Sequence, residues 1–459
     1  MARKSDEEPE HPAGSTVELT ISDLGWSGDG VARTQGGRVV LIPDTLPGDG
    51  VLARITHVPP KAPLRATVER LFSPSPQRVP HPCPHLLGGC PASPLGAYDQ
   101  DSALDWKRSH LIETLRRIGR VENPSVDPVL PSPKSWRYRD RLEFHLLQAK
   151  TGLLLGYLGR EGQLVPISDC LLGSVELAHV LANLREQLLS VGRIAGLAEK
   201  DELRLLLRTN GLGGVVAVVF HAGRGRIALD ALSRWLESPG AAGWQIRHSS
   251  SVNGRFFASR ILAEKGEVGI HHHVAHRELI TGPTVFTQAN TSASRLLNRI
   301  VLEELPRNGH ILDLYGGFGA FALEYAAQGG SGVVIESAGE AVDAGKAFAE
   351  EHNLLVSFQI LDLDQPKRLK VRGFDAAILD PPRAGVSRAL LEMLNAEGPQ
   401  RLVYAACHPA ALARDLTILH AYRPTRFRPV DLFPGTVDVE TVAILQRRVT
   451  EDGTSASTI

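Results

Sequence analysis

From residue 309 onward, short apolar runs alternate with loops and helical segments, and this pattern constrains the fold more than any other feature of the chain. The apolar runs lie at 311–314, 332–335, 356–361, 376–379 and 402–405. Strands that alternate with helices form a parallel sheet covered on both faces. The pattern therefore predicts an α/β fold class with a doubly wound sheet. A last apolar run at 439–445 is expected to close the sheet as an antiparallel edge strand.

The loop after the first of these strands, D-L-Y-G-G-F-G at 313–319, is rich in glycine. In an open α/β sheet a ligand lies beyond the carboxyl ends of the strands, and glycines let the backbone approach it. Glu336 ends the second strand, 21 residues after Tyr315, where a carboxylate can accept hydrogen bonds from both hydroxyls of a ribose. A lone glycine loop also fits a tight turn, but its combination with this acidic residue predicts a nucleoside site. The G-x-G-x-x-G pattern of dinucleotide oxidoreductases is absent.

Two further strands end in side chains that can do chemistry. Asp380 opens D-P-P-R at 380–383, where prolines fix an irregular backbone that can hold a carboxylate rigidly. The alternative is a helix start with Asp380 as its cap. Cys407, in A-C-H-P at 406–409, is expected at the same sheet edge, close to a helix that begins near Ala410. A helix N-terminus favours a thiolate, so Cys407 is predicted to be a nucleophile, against the alternative of a buried structural cysteine.

Five ordered segments carry a family resemblance. They are F-x-Q-x-N (286–290), D-L-Y-G-G-F-G (313–319), D-P-P-R-A-G (380–385), A-C-H-P-A-x-L-A-R-D (406–415) and F-P-x-T-x-x-x-E-T-V (433–442). In this order they closely resemble the RNA uracil-C5 methyltransferases, which make 5-methyluridine in tRNA and 23S rRNA. The resemblance runs over roughly 270–450 and, with the N-terminal segments below, spans most of the chain.

The resemblance implies a Rossmann-like, S-adenosylmethionine-dependent methyltransferase domain at 286–450, acting on RNA, with rRNA preferred over tRNA. Carried over residue by residue, it assigns Cys407 as the nucleophile at C6 of uracil and Glu440 as the base that removes the C5 proton. The family's cofactor-binding positions fall on Gln288, Tyr315, Glu336, Asp362 and Asp380. The chain departs from the family pattern at two positions: Ala320 stands where members usually have Asn, and Asp438 stands where His is common.

The N-terminal region predicts a second domain. Short strands at roughly ten-residue spacing with glycine turns between 15 and 74 indicate a small closed β-barrel of the OB-like kind. Its G-x-G-V-A-R and L-P-G-D segments (28–33 and 46–49) resemble the TRAM domain, an RNA-binding barrel. Residues 1–14 and 451–459 are expected to be disordered tails.

Residues 75–285 are expected to hold a cysteine segment, a helix at 106–118 and a central α+β module. The stretch 106–160 has 11 Lys/Arg against 5 Asp/Glu, a local net of +6. Basic residues interleaved with aromatics suit RNA contact, although a solvated face beside a buried Trp is the alternative. The residues predicted to bind RNA are Trp136, Arg137, Arg139, Arg141 and Arg383. The run His271-His272-His273 is interpreted as a polar loop or edge strand, because adjacent strand residues alternate in direction and cannot easily share one metal ion.

Three cysteines away from the sheet match positions that hold an iron–sulfur cluster in the rRNA branch of the family. They are Cys83, Cys90 and Cys170, and the fourth ligand is missing. Three thiolates cannot complete an all-cysteine [4Fe–4S] site. Either another group such as His85 or solvent completes the cluster, or the site is vestigial; a zinc site is a further alternative.

Composition bounds the remaining possibilities. Lys and Arg number 50 against 51 Asp and Glu, so the whole chain does not favour nucleic acid, and only its local charge does. No apolar run approaches the ~18 residues of a membrane span, and four cysteines in 459 residues exclude a disulfide scaffold. We expect a cytoplasmic monomer without membrane contact. Two other functions remain open: an RNA-binding factor with a decayed methyltransferase, and a methyltransferase for protein or small molecules.

Overall fold

The computed structural model describes residues 11–149, 152–191, 202–222, 229–237, 240–249 and 259–448. The chain divides into two compact units: unit 1 comprises 1–107 and 433–438, and unit 2 comprises 108–432 and 439–459. The predicted tails at 1–14 and 451–459 lie outside the described residues, apart from 11–14. In the part that is described, no helix combines the length and the apolar character needed to cross a membrane.

Unit 1 is built on a six-stranded sheet that packs around an apolar core, and a second apolar cluster is formed by Leu24, Leu95 and Trp106. Its strands are β1 (Thr16–Thr20), β2 (Asp23–Leu24), β3 (Gly30–Arg33), β4 (Val39–Ile42), β5 (Gly50–His57) and β6 (Leu64–Ser73). They pair in the order β1-β5-β6-β4-β3-β2, antiparallel except between β4 and β6. A 3-10 helix, Pro84–Leu86, follows in the cysteine segment. The predicted all-β N-terminal region is confirmed.

Helix α1 (Gln100–Arg117) contains the division between the two units and starts six residues before the predicted position. The Asp99 carboxylate accepts from the Ser102 N–H at 3.1 Å, and the Asp99 carbonyl accepts from Ala103. This is an N-cap, which satisfies backbone donors that have no partner within the helix. The acidic cap, rather than the first apolar residue, therefore sets the helix start.

Unit 2 opens with a seven-stranded mixed sheet. Its elements are β7 (Arg141–Ala149), β8 (Gly152–Leu158), β9 (Leu164–Pro166), α2 (Val175–Val191), β10 (Glu202–Thr209), β11 (Val215–Ala222), α3 (Leu229–Leu236), β12 (Ala241–His248) and β13 (Arg260–Gly266). The strand order is β13-β12-β11-β10-β7-β8-β9, and only β11 and β12 run parallel. Helices α2 and α3 pack against this sheet. The hairpin β14 (Ile270–Val274) and β15 (Arg277–Thr281) follows, so the histidine run lies in a two-stranded sheet.

The other seven-stranded sheet of unit 2 is the predicted doubly wound one. Its elements are α4 (Thr291–Glu303), β16 (His310–Leu314), α5 (Ala320–Ala327), β17 (Ser331–Glu336), α6 (Gly339–Glu351), β18 (Val356–Ile360), β19 (Ala376–Leu379), α7 (Arg388–Glu397), β20 (Arg401–Ala406), α8 (Pro409–Ile418), β21 (Tyr422–Val430) and β22 (Glu440–Arg447). The order is β18-β17-β16-β19-β20-β22-β21, parallel from β18 to β20. Apolar residues of α1, α7 and α8 form the core on one face, and α4 and α5 contact the sheet as well. The predicted α/β fold class is confirmed.

The closing strand differs from the prediction in its position. β22 is antiparallel, as expected, but β21 pairs with its outer side and forms the edge of the sheet. The sequence of β21 contains Pro424 and Pro429, which argue against a strand in an interior position. An edge strand tolerates proline, because it pairs with a neighbouring strand on one side only; on the outer side, β21 makes isolated bridges with Val126 and Leu130. The edge position of β22 was therefore predicted wrongly, since β21 was not recognised as a strand.

Candidate active site

The predicted site residues gather at the carboxyl edge of the parallel strands of this sheet. Tyr315 follows β16, Glu336 ends β17, Asp380 follows β19 and Cys407 follows β20. Because β17 lies on one side of β16 and β19 on the other, the strand order reverses at β16. Ligands of doubly wound sheets bind at such a switch point. The glycine loop after β16 and the Asp380 loop after β19 flank it.

The glycine loop has an unusual backbone. Tyr315, Gly317 and Gly319 adopt left-handed conformations, with φ of 62°, 58° and 85°. Glycine has no steric penalty there, whereas the tyrosine stores strain of about 1 kcal/mol or more, as residues at ligand sites often do. Gly319 also precedes α5 as its N-cap. The loop therefore brings bare backbone and a helix N-terminus to the switch point, which suits a ligand carrying negative or polar groups.

Glu336 is tied to the glycine loop. Its Oε2 accepts from the Gly317 N–H at 3.1 Å, and its Oε1 accepts from the N–H groups of Ser337 and Ala338 at 2.7 and 2.8 Å. The carboxylate is thus oriented before any ligand arrives, and it remains half-buried at the end of β17. This geometry is compatible with the predicted contact to a ribose.

Two carboxyl groups beside the loop are forced toward the protonated form. Asp313, in β16, is fully buried, and burial raises its pKa to about 8, with Asp380 and Glu336 adding to the shift. Its Oδ2 accepts from the Ala322 N–H at 3.3 Å, whereas Oδ1 has no hydrogen-bond partner among the described residues. Burial also raises the pKa of Asp380. Asp313 was missed from the sequence, although it opens the glycine segment.

Two further predicted positions lie close by. Asp362 is exposed after β18, and its Oδ1 accepts from the Asp364 N–H at 2.9 Å in a local turn. Burial raises the pKa of the Tyr315 phenol, and the carboxylates of Asp364 and Asp415 add to the shift. The Tyr315 side chain packs against the apolar core that α1, α7 and α8 form on one face of the sheet.

The strand register relates Cys407 to Glu440. β20 and β22 are antiparallel, and the last pair joins Ala406 to Thr441. Continued one step beyond this last pair, the register would bring Cys407 opposite Glu440. Directly opposite residues of an antiparallel pair face the same side, with Cβ atoms about 5 Å apart. Cys407 is half-buried between β20 and α8, and Glu440 is 1% exposed. The ends of β20 and β22 thus bring a thiol and a buried carboxylate to the same edge of the sheet.

The Asp380 loop is held by the helix that follows the cysteine. The Asp415 carboxylate, buried in α8, accepts from the Val386 N–H at 2.8 Å and the Tyr404 hydroxyl at 2.7 Å. Arg414 pairs with Asp415 and also donates to the Ala384 carbonyl at 2.8 Å. Gly385 has a φ of 83°, and a Cβ there would meet the Asp415 Oδ2 at 2.6 Å. Sequence reasoning gave Arg414 and Asp415 no role, although they end the 406–415 segment.

The F-T-Q-A-N segment is brought to the same edge by two buried side chains. The Asn290 amide donates to the Leu432 carbonyl at 2.9 Å, two residues beyond Val430, which pairs with Glu440. Arg208 of β10 donates to the Val285 carbonyl at 2.6 Å and to the Thr287 hydroxyl at 2.6 Å. Burial and the neighbouring Arg141 lower the pKa of Arg208 to about 9. Gln288 lies half-buried between these two anchors.

The basic and aromatic stretch predicted to bind RNA lies beside this segment. The Asp140 N–H donates to the Ala289 carbonyl at 2.7 Å, and the Arg141 guanidinium lies 5.4 Å from the centre of the exposed Phe286 ring. Arg137 has an internal role, because it pairs with Asp169 and donates to the Cys170 carbonyl at 3.2 Å. Trp136 and Arg139 are half-buried, and Arg383 is exposed in the Asp380 loop. Their contact with RNA stays a prediction.

The cysteines away from the sheet lie in both units. In unit 1, Cys83 Sγ lies 3.6 Å from His85 Nδ1, and Cys90 is buried. In unit 2, Cys170 Sγ is 3.8 Å from the Tyr157 hydroxyl. Within the described ranges, no group of three or more His, Cys, Asp or Glu side chains is arranged to hold a metal ion. The iron–sulfur cluster stays a prediction.

Two family models and several known proteins are similar to this chain. The TRAM domain model matches residues 13–68, and the model described as "tRNA (Uracil-5-)-methyltransferase" matches residues 245–448. A protein of Nostoc sp. named as an uncharacterized RNA methyltransferase is 30% identical over 452 residues, covering 94% of this chain and 96% of its own. The 23S rRNA (uracil(1939)-C(5))-methyltransferase RlmD of Bordetella avium is 29% identical, covering 93% and 90%.

A solved structure has a similar fold. It is the Pyrococcus abyssi tRNA (uracil-54, C5)-methyltransferase in complex with S-adenosyl-L-homocysteine, with a TM-score of 0.72 and 24% identity. The superposition covers 94% of this chain and 100% of that one.

Proposed function

Because this chain belongs to the RNA uracil-C5 methyltransferase family, we propose that it methylates C5 of a uridine through a covalent bond between Cys407 and C6. The observation that carries this mechanism is the β20–β22 register, whose continuation by one step would bring Cys407 opposite the buried Glu440. The intact pair argues against an RNA-binding factor with a decayed active site. It also argues against a methyltransferase for other substrates, in which Cys407 would need no buried carboxylate beside it.

The residues at the switch point fit S-adenosylmethionine. Glu336 is oriented toward a diol by the bonds to Gly317, Ser337 and Ala338. The buried Asp313 has an oxygen without a described partner, beside the loop whose backbone is bare. We assign the binding of the cofactor to these groups together with Gln288, Tyr315, Asp362 and Asp380. When bound there, S-adenosylmethionine supplies an electrophilic methyl group.

In the proposed reaction, Cys407 and Glu440 have separate roles at the uracil base. C5 of uracil is a weak nucleophile, so the Cys407 thiolate adds to C6 and shifts electron density to C5 as an enolate. C5 takes the methyl group. The Glu440 carboxylate removes the C5 proton, the electron pair reforms the C5–C6 double bond, and the C6–S bond breaks to release the thiolate. The base must leave its stack to be reached in this way, and basic and aromatic residues can hold it there.

For the RNA, we propose 23S rRNA, supported by the name of the Bordetella avium relative and by the TRAM match. A tRNA is the second candidate, favoured by the description of the family model that matches 245–448. The proposed setting is a cytoplasmic monomer. Mapping 5-methyluridine in 23S rRNA and tRNA from cells with and without the gene decides between the two RNAs.

Trapping tests the mechanism. RNA made with 5-fluorouridine cannot lose its C5 substituent as a proton, so an enzyme that adds to C6 should stay bound to it. We expect a protein–RNA band that survives SDS and carries labelled methyl groups. Cys407→Ala should lose the band and all turnover while still binding S-adenosylhomocysteine. A trapped band in Cys407→Ala, or substantial methylation by this variant, would refute the assignment of Cys407 as the nucleophile.

A further inference from the structure

Phe318 of the glycine loop is held by an element outside the doubly wound sheet. His272, in β14, stacks on Phe318 with ring centroids 5.1 Å apart and an interplanar angle of 27°. Offset aromatic pairs are stabilised beyond the burial of their surfaces. Phe318 is 9% exposed and shares an apolar cluster with Val274 and Leu279 of the hairpin. The β14–β15 hairpin therefore covers the ring that projects from the loop.

The His272 ring is fixed in its turn. Its Nε2 lies 2.9 Å from the hydroxyl of Thr281, which is buried in β15. Burial lowers the pKa of His272 to about 4, and the Arg208 cation and the flanking histidines add to the shift. His272 is therefore a neutral ring at neutral pH, anchored at one nitrogen and in contact with Phe318 through its face.

The backbone of Phe318 is also contacted by helix α6. A Cβ on Gly345 of α6 would lie 2.2 Å from the Phe318 carbonyl oxygen, so the helix backbone contacts the loop directly. The neighbours of Phe318 are Gly317 and Gly319, which have no side chains to restrict the loop. Phe318 is thus the one side chain of 316–319 that can anchor this stretch, and His272 is its aromatic partner.

We propose that His272 is a positioning residue for the cofactor: by stacking on Phe318 it holds the glycine loop in its binding conformation. The proposal rests on the proposed function, since it takes S-adenosylmethionine as the ligand of this loop. A loop that is already ordered loses less conformational entropy on binding, which appears as higher affinity. Removing the stack should therefore weaken cofactor binding without touching the Cys407–Glu440 pair.

The test compares His272→Ala, His272→Phe and the control His273→Ala, whose side chain is exposed on the same strand. Calorimetry with S-adenosylhomocysteine measures affinity, and hydrogen exchange of residues 315–319 in the free protein measures loop order. From the strength of an aromatic pair, we expect His272→Ala to bind roughly threefold to tenfold more weakly. Its loop should exchange faster, and its KM for S-adenosylmethionine should rise with little change in kcat. His272→Phe keeps a ring and should stay near wild type, as should His273→Ala.

Several outcomes overturn the proposal. One is His272→Ala matching wild type in both affinity and exchange; another is His272→Phe binding as weakly as His272→Ala. Should His272→Ala fail to fold, His272→Asn decides, because it keeps a polar group without the ring and must bind more weakly than His272→Phe. Wild-type protein that does not bind S-adenosylhomocysteine would refute the proposed function, whereas the exchange of the loop would still decide the role of His272.

Discussion

Replacing Asp415 tests whether helix α8 holds the loop that carries Asp380. In Asp415→Ala, the Val386 N–H and the Tyr404 hydroxyl lose their acceptor, and both residues are buried. Each buried donor left without a partner costs about 1–3 kcal/mol. The Arg414 partner adds little, because its side chain is 50% exposed and solvent screens the pair. The loss should total about 3–5 kcal/mol, in line with breaking a buried charged network.

Asp415→Asn is the matched variant. Its amide oxygen can replace Oδ2 and keep both hydrogen bonds, whereas its NH2 group replaces Oδ1 and loses the charge and the hydrogen bonds from the half-exposed Arg414. We expect a cost of about 1–2 kcal/mol. Tyr404→Phe removes a single donor and leaves the bond from Val386, which predicts about 1 kcal/mol. The three variants therefore separate the acceptor role of Asp415 from its charge.

Native-state hydrogen exchange at Val386 is the suitable measurement, because it reports local opening in a chain of two units for which a single unfolding free energy is not defined. Asp415→Ala should speed exchange at Val386 by roughly 100-fold or more, Asp415→Asn by about thirtyfold or less and Tyr404→Phe by about fivefold. Methylation should fall in the same order, since Asp380 is on this loop. Equal exchange in Asp415→Ala and wild type would refute the reasoning, as would equal effects of the Ala and Asn variants.

Three other predictions follow from the site. Glu440→Gln should accumulate methylated RNA attached to Cys407 as an SDS-resistant band, and free product at the normal rate would show that another group is the base. Since the pKa of Asp313 is raised to about 8 from its ordinary value, the folded state binds a proton that the unfolded state lacks, and stability should fall as pH rises from about 4 to 8. Between pH 5.5 and 8, Asp313→Asn should flatten this fall, measured as the melting temperature of the transition that unfolds unit 2. If the fall is unchanged in Asp313→Asn, a group other than Asp313 causes it. If Cys83 helps to hold an iron–sulfur cluster, anaerobically purified wild-type protein should contain iron and Cys83→Ser should lack it. Wild-type protein without iron would mean that Cys83, Cys90 and Cys170 are only the remnant of a cluster site.

The sequence alone is sufficient to predict the doubly wound sheet and the positions of its functional loops. A parallel strand that is buried on both faces gives a continuous apolar run, so β16, β17, β19 and β20 are visible one by one. The edge strand β18 has exposed residues, and its sequence V-S-F-Q-I alternates instead. Parallel strands end at one edge, which is why the sequence alone places Tyr315, Glu336, Asp380 and Cys407 together. The weaker signal of β21 failed, because its prolines are tolerated only at an edge and local sequence does not reveal which strand is outermost.

Tertiary structure alone decided which side chains hold those loops. The bond from Val386 to Asp415 spans 29 residues, the bond from Arg208 to Thr287 spans 79, and His272 reaches Phe318 from another sheet. Nothing in the local sequence marks such partners, because they depend on how separate elements pack. The raised pKa of Asp313 has the same origin, since desolvation is a property of the packed surroundings rather than of the residue. The chemistry of this protein is thus carried by short segments that sequence identifies, and its geometry is set by long-range contacts that only the fold creates.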